Sequence, residues 1–158
     1  GFEQLGYHSI CIGGVGFFNK QNPLGSVLPS LFHESHWSPS LGVTEFESTR
    51  NQFVLAHERL ERLPNSQRVF LFINLSAMHQ PNCIYRPGVQ TDGFDTQLAA
   101  LEYVDSQLPL LMNTLSTRGS GVGVWCSDHG TAYGEDEYWG HRLAHPVVWN
   151  VPYAEVKW

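Results

Sequence analysis

The stretch that most limits the fold is Arg68 to Ser76, which contains the unbroken apolar run Val69-Phe70-Leu71-Phe72-Ile73. A strand with one wet face alternates apolar and polar residues. A strand without alternation is covered on both faces, as in parallel sheets. The run ends in Ser76-Ala77-Met78-His79-Gln80-Pro81. In open α/β sheets ligands bind beyond the carboxyl ends of the strands, so His79 is a candidate site residue. Tyr7 to Ile12 predicts an earlier strand, and the apolar residues of Val122 to Trp125 predict a later, buried one. Between them lie two predicted helices. Thr44 is expected to cap the first, with Glu45 and Glu47 in its first turn, and Pro64-Asn65-Ser66 ends it. Phe94 to Arg118 carries Leu98, Leu101, Val104, Leu108, Leu111, Met112 and Leu115 at helical spacing. Pro109 is expected to kink that helix or break it near Gln107. Pro146 to Trp149 is expected as a last strand or edge. Strand, helix, strand, helix, strand is a βαβ rhythm. The predicted class is α/β, a mostly parallel sheet flanked by helices in a single domain over 1–158.

The loops narrow the chemistry. Gly13-Gly14-Val15-Gly16 follows the first strand, but Asn19 stands where a dinucleotide fingerprint needs its third glycine. No helix pattern follows, so the reading is a tight strand-end loop near a site. Residues 20–43 are rich in Pro, Ser and Gly and are expected to be irregular, with His33, Glu34, His36 and Trp37 on a surface loop. A second metal site or a specificity loop are the other readings of that cluster. His57 is assigned no function.

The segment Val122 to His145 reads V-G-V-W-C-S-D-H-G-T-A-Y-G-E-D-E-Y-W-G-H-R-L-A-H. An Asp and a His at the end of a buried strand need a partner. A divalent metal supplies one, because carboxylate oxygen and neutral imidazole nitrogen are ordinary ligands for zinc or manganese. Gly130 lets the backbone turn away at once. Glu135, His141 and His145 follow within reach of a loop that folds back. The plainer reading is a polar loop with exposed histidines.

Ser127-Asp128-His129-Gly130, then Gly134-Glu135, then Gly140-His141 resembles the C-terminal metal motif of the alkaline phosphatase superfamily, in its sulfatase-like branch of sulfatases, phosphoethanolamine transferases and lipoteichoic acid synthases. Gly6 to Gly13 resembles the sulfatase segment GY-x-T-x-x-I-G, although Gly14 to Phe18 lacks the Lys and His that follow it there. Ser76 to Pro81, Ala100 to Asp105 and Val151-Pro152-Tyr153 are similar to three further family segments. The resemblance implies an alkaline phosphatase-like fold. It also implies metal ligation by Asp128 and His129, with His141 as third contact and His145 as another candidate. His79 and His141 would donate to phosphate or sulfate oxygens, and Glu135 would orient a histidine. The implied ion is divalent, zinc or manganese ahead of calcium or magnesium. His129 stands where many sulfatases have Asn, which favours a transition metal and phosphoryl chemistry.

The expected activity is that of a metal-dependent hydrolase or transferase acting on a small-molecule phosphate or sulfate ester. The nucleophile motif is not found in this chain. Gly1-Phe2-Glu3 reads as the interior of a longer protein, so the chain is expected to be an inactive fragment of a larger catalytic domain. The alternatives are a non-catalytic metal- or ligand-binding module, and a structural domain whose histidines do nothing. With 42% hydrophobic and 15% charged residues the chain is globular, and a net charge of −6 without a basic run excludes a nucleic-acid partner. No apolar run is long enough to span a membrane. Three cysteines without C-x-x-C spacing read as reduced, buried thiols in a cytoplasmic protein.

Overall fold

The computed structural model describes residues 1–158. The chain divides into two compact units, Gly1–Thr114 and Leu115–Trp158. In the first, strands β1 (His8–Ile12), β2 (Glu34–His36) and β3 (Val69–Ile73) form one sheet in the order β2-β1-β3. Both pairings are parallel, and β1 lies opposite β3 from His8↔Val69 to Ile12↔Ile73. The central strand is the driest: Ile10, Cys11 and Ile12 are at most 1% exposed. All five residues of β3 are only partly buried, because β3 stands at the sheet edge.

Side-chain alternation along β3 sends Phe70 and Phe72 to one face, as the period of two requires. There Phe2 stacks on Phe70 with ring centroids 4.1 Å apart, Phe32 lies near both rings, and Phe18 meets Phe72 at 5.6 Å. The short helix α1 (Pro23–Val27) is capped by Asn22, whose side chain accepts from the Gly25 amide.

Helix α2 (Ser48–Glu61) begins three residues later than Thr44 as N-cap predicts. Glu47 occupies the N-cap position without a side-chain bond to the helix, and the Glu45 carboxylate instead accepts from the Glu47 amide. Its buried face holds Ser48, Thr49 and Gln52 beside Phe53, Ala56 and Leu60, so the packed stripe is half polar. Helix α3 (Phe94–Thr117) runs through Pro109 without the expected break. It buries Thr96, Ala100, Val104 and Leu111, while Leu98 and Leu101 stay exposed. Ala100 and Val104 join Ala77 and Tyr85 in a second core under the loop that follows β3.

The second unit departs further from expectation. Strand β4 (Val122–Cys126) pairs antiparallel with β7 (Tyr153–Lys157), and β5 (Ala132–Tyr133) pairs antiparallel with β6 (Trp139–Gly140). β4 is not the buried strand predicted, since Val122 and Val124 are exposed. Pro146 to Trp149 is not a strand but the helix α4, whose Pro146 sits at the first helical turn where its missing N–H costs nothing. Of the three free cysteines only Cys11 is buried; Cys83 is partly buried and Cys126 exposed. Burial pushes the Cys11 thiol up to about 11, with nearby Lys20 opposing it, so this thiol is inert.

The loop after β1 docks on the end of β3. The Val15 amide donates to Asn74 Oδ1 at 3.0 Å, and the buried Gln52 amide donates to the Asn74 carbonyl at 2.7 Å. The Trp37 indole donates to the Gly14 carbonyl at 3.1 Å. A Cβ on Gly14 would lie 2.6 Å from the Asn74 carbonyl oxygen and 2.7 Å from Ser76 Cβ, whereas one on Gly93 would meet nothing within 4 Å. Gly14→Ala is therefore expected to cost about 1–3 kcal/mol in chemical denaturation, and Gly93→Ala less than about 0.5 kcal/mol.

Candidate functional site

In the first unit the site residue read from sequence is His79. The segment before it is tightly anchored: Ser76 and Ala77 are fully buried, Ser76 Oγ donates to the Leu41 carbonyl at 2.7 Å, and the His79 amide closes a turn onto the Ser76 carbonyl at 3.0 Å. The His79 side chain itself is exposed. Its Nδ1 lies against the Gln80 carbonyl. A carbonyl only accepts, so Nδ1 carries the proton and Nε2 points its lone pair outward when the ring is neutral.

In the second unit the site lies just past the end of β4. Ser127 Oγ donates to the His129 carbonyl at 2.6 Å, and the His129 amide approaches Asp128 Oδ1 at 3.2 Å. These bonds fold Ser127-Asp128-His129 into a tight turn. His129 Nδ1–H donates to the Gly130 carbonyl at 2.9 Å. That bond fixes the tautomer and leaves the lone pair on Nε2, the arrangement usual for an imidazole able to bind a metal. Gly130 is required sterically, since a Cβ there would lie 2.0 Å from the Val147 carbonyl oxygen. The His141 ring stacks on His129 with centroids 4.4 Å apart and planes 16° apart.

Asp128 Oδ2 and His129 Nε2 are 3.7 Å apart. Two ligands of one zinc ion can be at most about 4 Å apart, so this pair fits a divalent ion in both donor chemistry and spacing. The expected set of four does not converge: no group of three or more His, Cys, Asp or Glu side chains lies in a geometry that could hold a metal ion. His145 is occupied otherwise. Its Nδ1 accepts from the Val147 amide at 3.2 Å as the N-cap of α4, and its Nε2 lies 3.0 Å from Asp136 Oδ2.

Glu135 does not touch a histidine through a hydrogen bond. Its Oε2 accepts from the Tyr133 amide at 2.6 Å. Backbone amides, first Tyr133 and then its own, hold its carboxyl below the ordinary carboxylate value. The carboxylate that meets a histidine is its neighbour Asp136, held at a positive φ of 48°.

The His33-Glu34-His36 cluster lies largely on a strand, not on the expected loop, and its side chains pair with each other or with neighbouring elements. Glu34 receives His8 Nε2 at 3.0 Å, His36 Nε2 at 3.0 Å and Arg59 Nη2 at 2.6 Å. His33 Nδ1 meets Ser9 Oγ at 3.0 Å, and its Nε2 lies 3.3 Å from Glu3. Burial alone would raise the Glu34 carboxyl. The bonds from His8, His36 and Arg59 outweigh it and hold the group below its ordinary 4.5. Sequence reasoning missed His8 and Arg59, which lie 26 residues before and 25 residues after Glu34 and carry no local signal (34 − 8 and 59 − 34).

No protein-family model and no curated protein matches the sequence. The structure is similar to that of the C-terminal periplasmic domain of phosphoethanolamine transferase EptC from Campylobacter jejuni, with a TM-score of 0.67 at 15% identity, over 99% of this chain and 54% of that one. This chain has an alkaline phosphatase-like fold. It spans about half the length of that solved domain. The similarity bears out the expected α/β class, a parallel three-stranded sheet with helices. It overturns the cytoplasmic expectation, because the matched structure is a periplasmic domain. Nor does it support the term hydrolase, since the matched protein is a transferase. As expected, no helix is long and apolar enough to cross a membrane.

Two outcomes follow from these contacts. Glu34 has a lowered folded value, so its contribution to stability is fully present above about pH 4.5 and is lost as pH falls through the folded value. In acid denaturation the stability difference between wild type and Glu34→Gln should shrink as pH falls below the ordinary 4.5. His145→Ala should cost about 1 kcal/mol through loss of the α4 cap, measured by urea unfolding, and leave metal titration unchanged.

Proposed function

We propose that this chain is part of a metal-dependent enzyme that transfers a phosphoryl-type group from a small-molecule phosphate ester, with Asp128 and His129 holding the divalent ion. The observation that carries the reading is the pinned His129 imidazole beside Asp128 at the end of β4, in a chain whose fold is that of a phosphoethanolamine transferase domain. Phosphate is preferred to sulfate on the same likeness, and a location outside the cytoplasm goes with it. Zinc or manganese suits an Asp/His donor pair better than calcium or magnesium, which favour all-oxygen sites.

When bound, the ion would supply positive charge for the oxygens that gain charge as the ester bond breaks. His79 acts from an anchored loop past the end of β3. Its Nδ1 is committed to the Gln80 carbonyl, so only Nε2 can meet a substrate oxygen. It donates there in the protonated ring, and an imidazolium facing a phosphate makes a charge-assisted hydrogen bond. Within the second unit His141, stacked on His129, is a candidate donor to a substrate oxygen. Asp136 and His145 keep the returning loop in shape. The nucleophile is assigned to no residue here.

The test is zinc and manganese titration of the 158-residue chain with elemental analysis. Wild type is expected to take up about one ion per chain, with affinity reduced at least tenfold in Asp128→Ala and in His129→Ala. Uptake that is the same in all three proteins would sink the assignment. Metal binding without turnover in the full-length protein would leave a non-catalytic metal-binding module.

A further inference from the structure

We infer that Gln97 is a positioning residue for His79, a staple that holds the two ends of the His79-Gln80-Pro81 tip together. The inference rests on the proposed role of His79. Gln97 lies in the first turn of α3, and its side-chain amide reaches both flanks of the tip. Its Nε2 donates to the Met78 carbonyl at 3.2 Å, one residue before His79. Its Oε1 accepts from the Asn82 side-chain amide, one residue after Pro81. The Met78 carbonyl can only accept, so the orientation of the Gln97 amide is fixed by chemistry.

The far flank is fully satisfied. Asn82 is completely buried, its Oδ1 takes the Thr96 hydroxyl, and its backbone amide donates to Asp92 Oδ1 at 2.8 Å. The Cys83 amide donates to the same Asp92 oxygen at 2.8 Å. Thr96 in turn accepts from the Gly93 amide at 2.8 Å. A buried Asn is tolerated only when its groups are paired, and a network so paired has one arrangement and resists deformation. The near flank is fixed by Ser76 and Ala77. Between these anchors lie residues 79–81, of which only His79 is exposed, and its ring gains its orientation from the two anchored flanks. A loop held only for stability would need the core contacts of Ala77 and Tyr85. It would not need one side chain bonded to both sides of the histidine. A site residue works when its ring stays within a fraction of an ångström of the productive position.

The experiment is nitrogen-15 NMR of the histidine rings in the intact 158-residue chain, with inorganic phosphate as the anion. In wild type, His79 is expected in the single tautomer with its proton on Nδ1, and phosphate moves its ring signals. In Gln97→Ala the tautomer preference is lost and the phosphate affinity read at His79 falls on the order of tenfold, while the His33 and His57 rings are unchanged. Gln97→Glu keeps the shape and the acceptor for Asn82 but removes the donor to Met78, so it should lose the tautomer preference too. If Gln97→Ala fails to fold, the same ring signals are read in this isosteric variant and decide the matter in the same way. An unchanged His79 tautomer in a folded variant overturns the inference. So does a change at His33 and His57 as large as that at His79, which would mark general loss of structure. Phosphate that leaves the wild-type His79 ring undisturbed would defeat the phosphate role alone, and the tautomer comparison would still decide the staple.

Discussion

Parallel pairing of β1 with both β2 and β3 puts the carboxyl ends of three strands at one edge of the first unit. Everything that could act there follows from that arrangement. β1 has no wet face, so Ile10, Cys11 and Ile12 accept no polar replacement without an unpaired group in the core. Parallel strands cannot be joined by tight hairpins, so each must be followed by a crossover, and the loops collect past the strand ends. Gly14 then has to pass so near Asn74 and Ser76 that no side chain fits. Gly14 in the glycine-rich loop is therefore a close-packing position.

Buried polar groups do the rest of the positioning. Gln52 ties the ends of β1 and β3 through the Gly13 and Asn74 carbonyls. Glu34 gathers two imidazoles and a guanidinium onto the edge strand β2. Asn82, Thr96 and Gln97 secure the loop that carries His79. Each of these groups would destabilise the fold if left unpaired, so each selects one conformation of its loop. The second unit relies on shorter elements. Its four strands form two antiparallel pairs, and its turn geometry comes from local bonds at Ser127, His129, Glu135 and His145.

The α/β class was legible because an apolar run without alternation has few homes, and Val69 to Ile73 is such a run. The turn at Ser127 to Gly130 was legible because Asp, His and Gly in succession carry strong local preferences. The helix start at Ser48 was not legible from Thr44, since tertiary packing selected the buried face of Ser48, Thr49 and Gln52 over the better capping residue. A period of three and four was present in Thr49, Gln52, Phe53, Ala56 and Leu60. It is hidden when only apolar residues are counted. Pro146 to Trp149 reads as a strand by composition, yet His145 and Pro146 at its start are helix-opening residues.

By itself the sequence determined the parallel class, the position of His79 past the end of a strand and the turn at Asp128-His129, because all three depend on residues adjacent in the chain. Tertiary structure alone decided the partners. Glu34 meets His8 and Arg59, His145 turns to Asp136 and not to Asp128, and Gln97 spans Met78 and Asn82. The reason is physical. A hydrogen bond between side chains many residues apart leaves no periodicity to read, and which donor finds which acceptor is settled only when the backbone has already brought them within about 3 Å.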